Sequence, residues 1–75
     1  MIDSSQIREH MEVKGSDGQH VGTVDHMDGN RIKLTKSDPA AGGQHHYLEL
    51  GMVKEIKNGA VCLNKSADEA KRMWQ

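Results

Sequence analysis

KGSDGQHVGTVDHMDGNRIKLT, residues 14–35, reads as a β-hairpin and sets the architecture of the chain. Its opening turn is Gly15-Ser16-Asp17-Gly18 and its closing turn is Asp28-Gly29-Asn30, clusters whose glycine and Asx residues supply the positive φ of tight connections. Val21, Val24, Ile32 and Leu34 are the apolar positions of the strands. Val21, Val24 and Met27 recur every three residues, which breaks strict alternation. A bulge near Gly22 resolves this, because one extra residue shifts the pleat and lets Val21 and Val24 both face inward. From Arg31 to Lys36 the alternation is clean, with Ile32 and Leu34 in and Arg31, Lys33 and Thr35 out.

Outward from this stretch, 75 residues make a single domain, 1–75, near the lower size limit for one unstapled hydrophobic core. The apolar fraction is 35%, Phe is absent, and Trp74 and Tyr47 are the only Trp and Tyr, so Val, Ile, Leu and Met must build the core. A core of this size supplies about 3–5 kcal/mol at most, which leaves burial in a homodimer as a supplement. Ten Lys plus Arg against eleven Asp plus Glu give a formal charge of −1, and no global field draws in nucleic acid or an anionic membrane. Cys62 is the one cysteine and has no internal disulfide partner. The sequence has no signal-like start and no run of roughly 20 apolar residues, so a soluble cytoplasmic protein is expected.

Asp3 with Gln6 resembles a capping box, and a helical turn is expected over residues 4–10, with Ile7 and Met11 docking inward. Met11 to Lys14 should be the first strand. Ser37 to Gln44 reads as an eight-residue loop without structure of its own, because Asp38 precedes a proline and two glycines follow. His45 to Leu50 reads as the fourth strand, with His46, Leu48 and Leu50 inward and His45, Tyr47 and Glu49 outward. Gly51 to Val53 is a corner. Asn58-Gly59 joins Val53–Lys57 to Ala60–Asn64 as a two-residue hairpin, with Val61 and Leu63 inward. Ser66 and Glu69 form a second capping box, opening a terminal helix whose Ala70, Met73 and Trp74 share a face expected to plug one end of the fold or else to cover a partner.

Three segments, GSDGQHVGTVDHMDGNRIKLT (15–35), KSDPAAGGQHHYLEL (36–50) and VCLNKSADEAKRMW (61–74), resemble the DUF2171 family of short bacterial proteins, related to the PRC-barrel superfamily. The G-S-D-G-x-x-V-G-x-V pattern from Gly15 to Val24 is shared with PRC barrels in general, and Lys36 to Tyr47 points to the narrower family. The resemblance implies an all-β, PRC-barrel-like antiparallel barrel of about six strands, with a short N-terminal helical turn and a C-terminal helix. It also implies a protein-interaction role, and it carries no catalytic residues or cofactor to this chain.

Five histidines raise the question of a metal. On a strand, His45 and His46 point to opposite faces and cannot chelate one ion together, so hydrogen-bonded structural histidines are expected, with His46 tying the long loop to the sheet. Cys62 alternates with Val61 and Leu63 and should face outward, with no base assigned to it. Gly42-Gly43 with Lys36 lacks both the spacing and the following helix of a phosphate loop. Arg31, Lys33 and Lys36 line an outward face that Lys54 and Lys57 could extend, but no exposed aromatic side chains interleave them to stack bases, so nucleic acid is not the expected partner.

The sequence therefore predicts a non-enzymatic interaction or adaptor module without metal or cofactor. Its contact surface should include Lys36, Asp38, His45, Tyr47 and Trp74, meeting a protein partner or a second copy. The alternative is a metal- or small-ligand-binding protein using His45, His46 and the 36–44 loop.

Overall fold

The computed structural model describes residues 4–75, and the expected cap at Asp3 lies outside the described residues. Six strands run β1 Glu12–Lys14, β2 His20–Asp28, β3 Arg31–Leu34, β4 His46–Glu49, β5 Val53–Lys57 and β6 Ala60–Leu63. Helix α1, Ala67–Met73, follows them, and short 3-10 turns occupy Ser4–Gln6, Pro39–Ala41 and Leu50–Met52. The N-terminal helical expectation over 4–10 contracts to one 3-10 turn, with Ile7 buried just beyond it. Among the described residues no helix is long and apolar enough to cross a membrane.

The strands form one sheet in the order β4-β3-β2-β1-β6-β5. Every neighbouring pair is antiparallel except β1 and β6, which run parallel with Val13 opposite Val61. The fold is therefore mostly β with a mixed, open sheet, in place of the expected closed antiparallel barrel. Two features of the connections account for this. The β5–β6 hairpin inserts β6 beside β1, on the side away from β2, and the 3-10 corner Leu50–Met52 leads from β4 to the far end of the sheet, so β4 and β5 share no ladder.

Two bulges in β2 explain the three-residue spacing of its apolar side chains. Val13 pairs with Gly22 while Lys14 pairs with His20, leaving Val21 as the extra residue. Val24 pairs with Leu34 while His26 pairs with Lys33, leaving Asp25 as the extra residue. Each insertion flips the pleat, so Val21 and Val24 are fully buried and Met27 packs on the same core. The bulge expected near Gly22 is present, and the one at Asp25 is an addition. A third, at Lys54, puts Val53 and Ile56 on one face in the same way.

Val13, Val21, Val24, Ile32, Leu34, Leu48, Val61 and Leu63 are the fully buried centre. Met52, expected only as part of a corner, is buried as well. Helix α1 closes one side of the core. Its Ser66–Glu69 capping box is formed in both directions, and Ala67 and Ala70 pack inward at the spacing of one turn. Trp74, one turn after Ala70, packs on the core from the C-cap, whereas Met73 is 53% exposed. The inward face is thus Ala67, Ala70 and Trp74, with Ala67 in place of the expected Met73.

Candidate functional site

The stretch read as structureless, Ser37 to Gln44, is ordered by its own sequence. Asp38 takes the extended conformation and its Oδ1 accepts from Ala40 N–H at 2.8 Å, Pro39 fills the first position of the 3-10 turn, and Gly42 closes it with φ 64°. Aspartate as N-cap, proline at the first helical position and glycine as C-cap are the residues such a turn prefers. Asp38 is buried as a result, with a side chain 4% exposed.

A carboxylate at that depth needs donors, and strand β2 adds two to the Ala40 N–H of the turn itself. Thr23 Oγ1–H donates to Asp38 Oδ2 at 2.7 Å from β2, and His20 Nε2 lies 2.7 Å from the same oxygen. The other ring nitrogen of His20, Nδ1, lies 2.9 Å from Glu12 Oε2 on β1. An ionised carboxylate only accepts, so a ring nitrogen bonded to one does so as a donor, and two such contacts favour the charged form of His20. Its pKa is raised above the ordinary value by the Glu12 hydrogen bond, partly opposed by burial and reinforced by Asp38. Burial is the largest influence on Asp38 and pushes its pKa up, but the hydrogen bonds from Thr23, Ala40 N–H and His20 together hold it below the usual range. Glu12 is lowered chiefly by its hydrogen bond from His20.

Beside this chain opens a cleft of about 300 Å³ whose walls include His10, Thr23, Asp25, Thr35, Ser37 and Asp38. His10 enters it with φ 71°, a left-handed conformation that a residue with a Cβ seldom adopts, and its N–H is held by Val24 C=O at 2.8 Å. Asp25, the bulged residue of β2, sits 3.4 Å from His26 Nδ1 and 3.7 Å from His45 Nδ1.

A second cluster lies on the other side of β4. His46 faces inward as expected, and its Nε2–H donates to Ala41 C=O at 3.0 Å, which ties the loop to the sheet. Its ring stacks on Trp74 with centroids 3.9 Å apart and planes 7° from parallel. Tyr47 faces outward, with the Arg31 guanidinium 4.5 Å above its ring. The backbones of Tyr47 and Gln75 exchange two hydrogen bonds, of 2.8 and 3.0 Å, so the chain end pairs with the edge of β4.

The five predicted contact residues are thus divided. Tyr47 and Trp74 are both half-buried at the β4 edge, Tyr47 under Arg31 on the outer face and Trp74 stacked on the inward ring of His46. His45 is half-buried, with its Nδ1–H donating to Leu34 C=O at 2.9 Å. Lys36 is exposed at the start of the loop, and Asp38 is buried with both oxygens engaged. Sequence reasoning missed Glu12, His20 and Thr23. The only local signal for their cluster was the Asp38-Pro39 cap, because their approach depends on the Val21 bulge and the β1–β2 register. Among the described residues no three His, Cys, Asp or Glu side chains gather in a way that could hold a metal ion.

Similarity to known proteins extends over the sheet and most of the helix. A family model described as an uncharacterized protein conserved in bacteria, DUF2171, matches residues 7–71. The chain belongs to the DUF2171 family. The match begins at the buried Ile7 and takes in the whole Glu12–His20–Asp38 chain, as well as Arg31, His46 and Tyr47, while Trp74 and Gln75 fall beyond it. A comparison of this DUF2171 chain with curated proteins found no match.

Proposed function

We propose that this chain is a non-catalytic, cytoplasmic protein-interaction module of PRC-barrel-like type, whose contact surface is the β3–β4 face with the loop leading into it. The observation that supports this reading is the Arg31 guanidinium laid over Tyr47 on the outer face, beside the β4 edge where the chain end with the half-buried Trp74 pairs. Arg, Tyr and Trp are the side chains that dominate protein interfaces, offering large, stiff contact area with a polar tip. Lys36, exposed, and His45, half-buried, at the two ends of the loop extend the surface on this reading. The partner on this reading is a protein, and nucleic acid and membrane are not its targets.

The test is affinity capture from a native bacterial lysate with the immobilised full chain, using Tyr47→Ser with Lys36→Glu as control. A protein retained by the wild type and lost from the control, with both baits melting at the same temperature, supports the reading. Identical captures by the two baits overturn it.

The cleft beside the 36–44 loop supports one second reading, a small-ligand-binding protein in which that loop acts with His10, Thr23 and Asp25, while His45 and His46, the pair expected to bind a metal, do not line it. Its test is a thermal upshift across a panel of small ligands and divalent metals that is lost in Ser37→Ala with Asp25→Asn, residues of the cleft wall.

A further inference from the structure

The two edges of the sheet are treated differently. The β4 edge is paired by the chain's own end, through Tyr47 and Gln75. The β5 edge ends the strand order, with β6 as its one ladder partner among the described residues. Such an edge presents a row of backbone donors and acceptors to another strand.

The β5–β6 hairpin determines which residues face outward. Asn58 and Gly59 both have positive φ, 53° and 75°, the pattern of a type I′ turn, and Lys57 pairs with Ala60 across it. The residues flanking such a turn exchange their hydrogen bonds with each other, and pairing alternates along an antiparallel ladder. Glu55 and Lys57 therefore direct N–H and C=O toward β6, while Ile56, opposite Val61, directs both toward the open edge.

We propose that β5 docks against β5 of a second copy of this chain, antiparallel, about a two-fold axis passing beside Ile56. In this register Ile56 exchanges both backbone hydrogen bonds with its symmetry mate, joining two six-stranded sheets into one. Glu55 then lies opposite Lys57 of the second copy, and Lys57 opposite its Glu55. Both are exposed in the isolated chain, and both fall at non-hydrogen-bonded positions, where facing side chains approach most closely. Ile56, half-buried in one copy, is covered further by its mate on the core side. Neighbouring registers are penalised: a slip one way sets Glu55 against Glu55, and a slip the other way sets Lys57 against Lys57. Lysines alone would blunt this edge, and Glu55 between Lys54 and Lys57 makes the row complementary to itself.

The proposal rests on the interaction reading and deepens it by naming a second copy as partner at a different edge. The test is sedimentation equilibrium of the full chain from micromolar to millimolar concentration, with circular dichroism to confirm the fold of each variant. The wild type should be dimeric. Glu55→Lys alone and Lys57→Glu alone should each weaken the dimer about tenfold or more, and the two together should restore it to within about threefold of wild type. A wild type that stays monomeric at millimolar concentration overturns β5 pairing and leaves capture of a different protein through Tyr47 standing. A dimer indifferent to both charge reversals but lost in Tyr47→Ser also overturns it, while supporting the β3–β4 face as the contact surface.

Discussion

His20 Nε2 lies 2.7 Å from Asp38 Oδ2, a contact that joins the start of β2 to the 3-10 turn of the long loop across eighteen residues of sequence. With Nδ1 of the same ring on Glu12, it makes one imidazole ring the junction of β1, β2 and the loop. Stability should therefore depend on pH in a defined direction. The His20 pKa is raised on folding, so its contribution is complete below about 6.5, the ordinary histidine value, and disappears as pH rises through the higher folded value. Asp38 and Glu12 are lowered, so their contributions are present above the ordinary carboxylate range and vanish as pH falls through their folded values. The melting temperature should be highest between these limits, in mildly acidic solution, and fall by a few degrees toward alkaline pH. His20→Gln should flatten the alkaline fall; an unchanged slope would show that the junction does not titrate.

Removing Asp38 should be more damaging than removing His20. The His20 side chain is 40% exposed and can be rehydrated, whereas Asp38 is buried and accepts from Thr23, Ala40 and His20. Asp38→Ala strands those donors and should cost about 2–4 kcal/mol in urea unfolding. The Ala40 amide should also lose its protection against hydrogen exchange. A loss smaller than that of His20→Gln would contradict this ranking.

Gly15 and Gly51 should respond oppositely to alanine. A Cβ on Gly15 would collide with Ala67 N and lie 2.8 Å from the Ser66 carbonyl carbon, where the first turn meets the start of α1. Relief requires the helix to move, and Gly15→Ala should destabilise by about 1–3 kcal/mol. Around Gly51 a Cβ meets nothing within 4 Å and no positive φ opposes it, so Gly51→Ala should be neutral or gain up to about 1 kcal/mol. Parallel chemical denaturation of the two variants checks the contrast.

Ile32, fully buried opposite Leu48, tests how much margin the thin core leaves. Ile32→Val should lower stability by about 0.5–1.5 kcal/mol and remain folded, while Ile32→Ala should lose about 2–5 kcal/mol, enough to unfold a domain this small. A folded, cooperative Ile32→Ala at 37 °C would mean that the core is larger or better supported than its size suggests.

What the sequence alone determined lies within a few residues at a time. Alternation in Arg31–Leu34, the Asn58-Gly59 reversal, the Ser66–Glu69 cap and the first β2 bulge each depend on neighbours along the chain, where backbone preference and side-chain period act directly. The ordered turn at Pro39–Ala41 was encoded just as locally, in Asp38, Pro39 and Gly42, and was obscured by the general association of glycine pairs with loops. Tertiary structure alone decided the parallel meeting of β1 with β6, the open sheet, the pairing of Gln75 with Tyr47, and the approach of Glu12, His20 and Asp38. Those proximities follow from strand order, and each bulge reverses which side chains share a face. Periodicity within one strand cannot fix contacts that depend on how several strands are laid side by side.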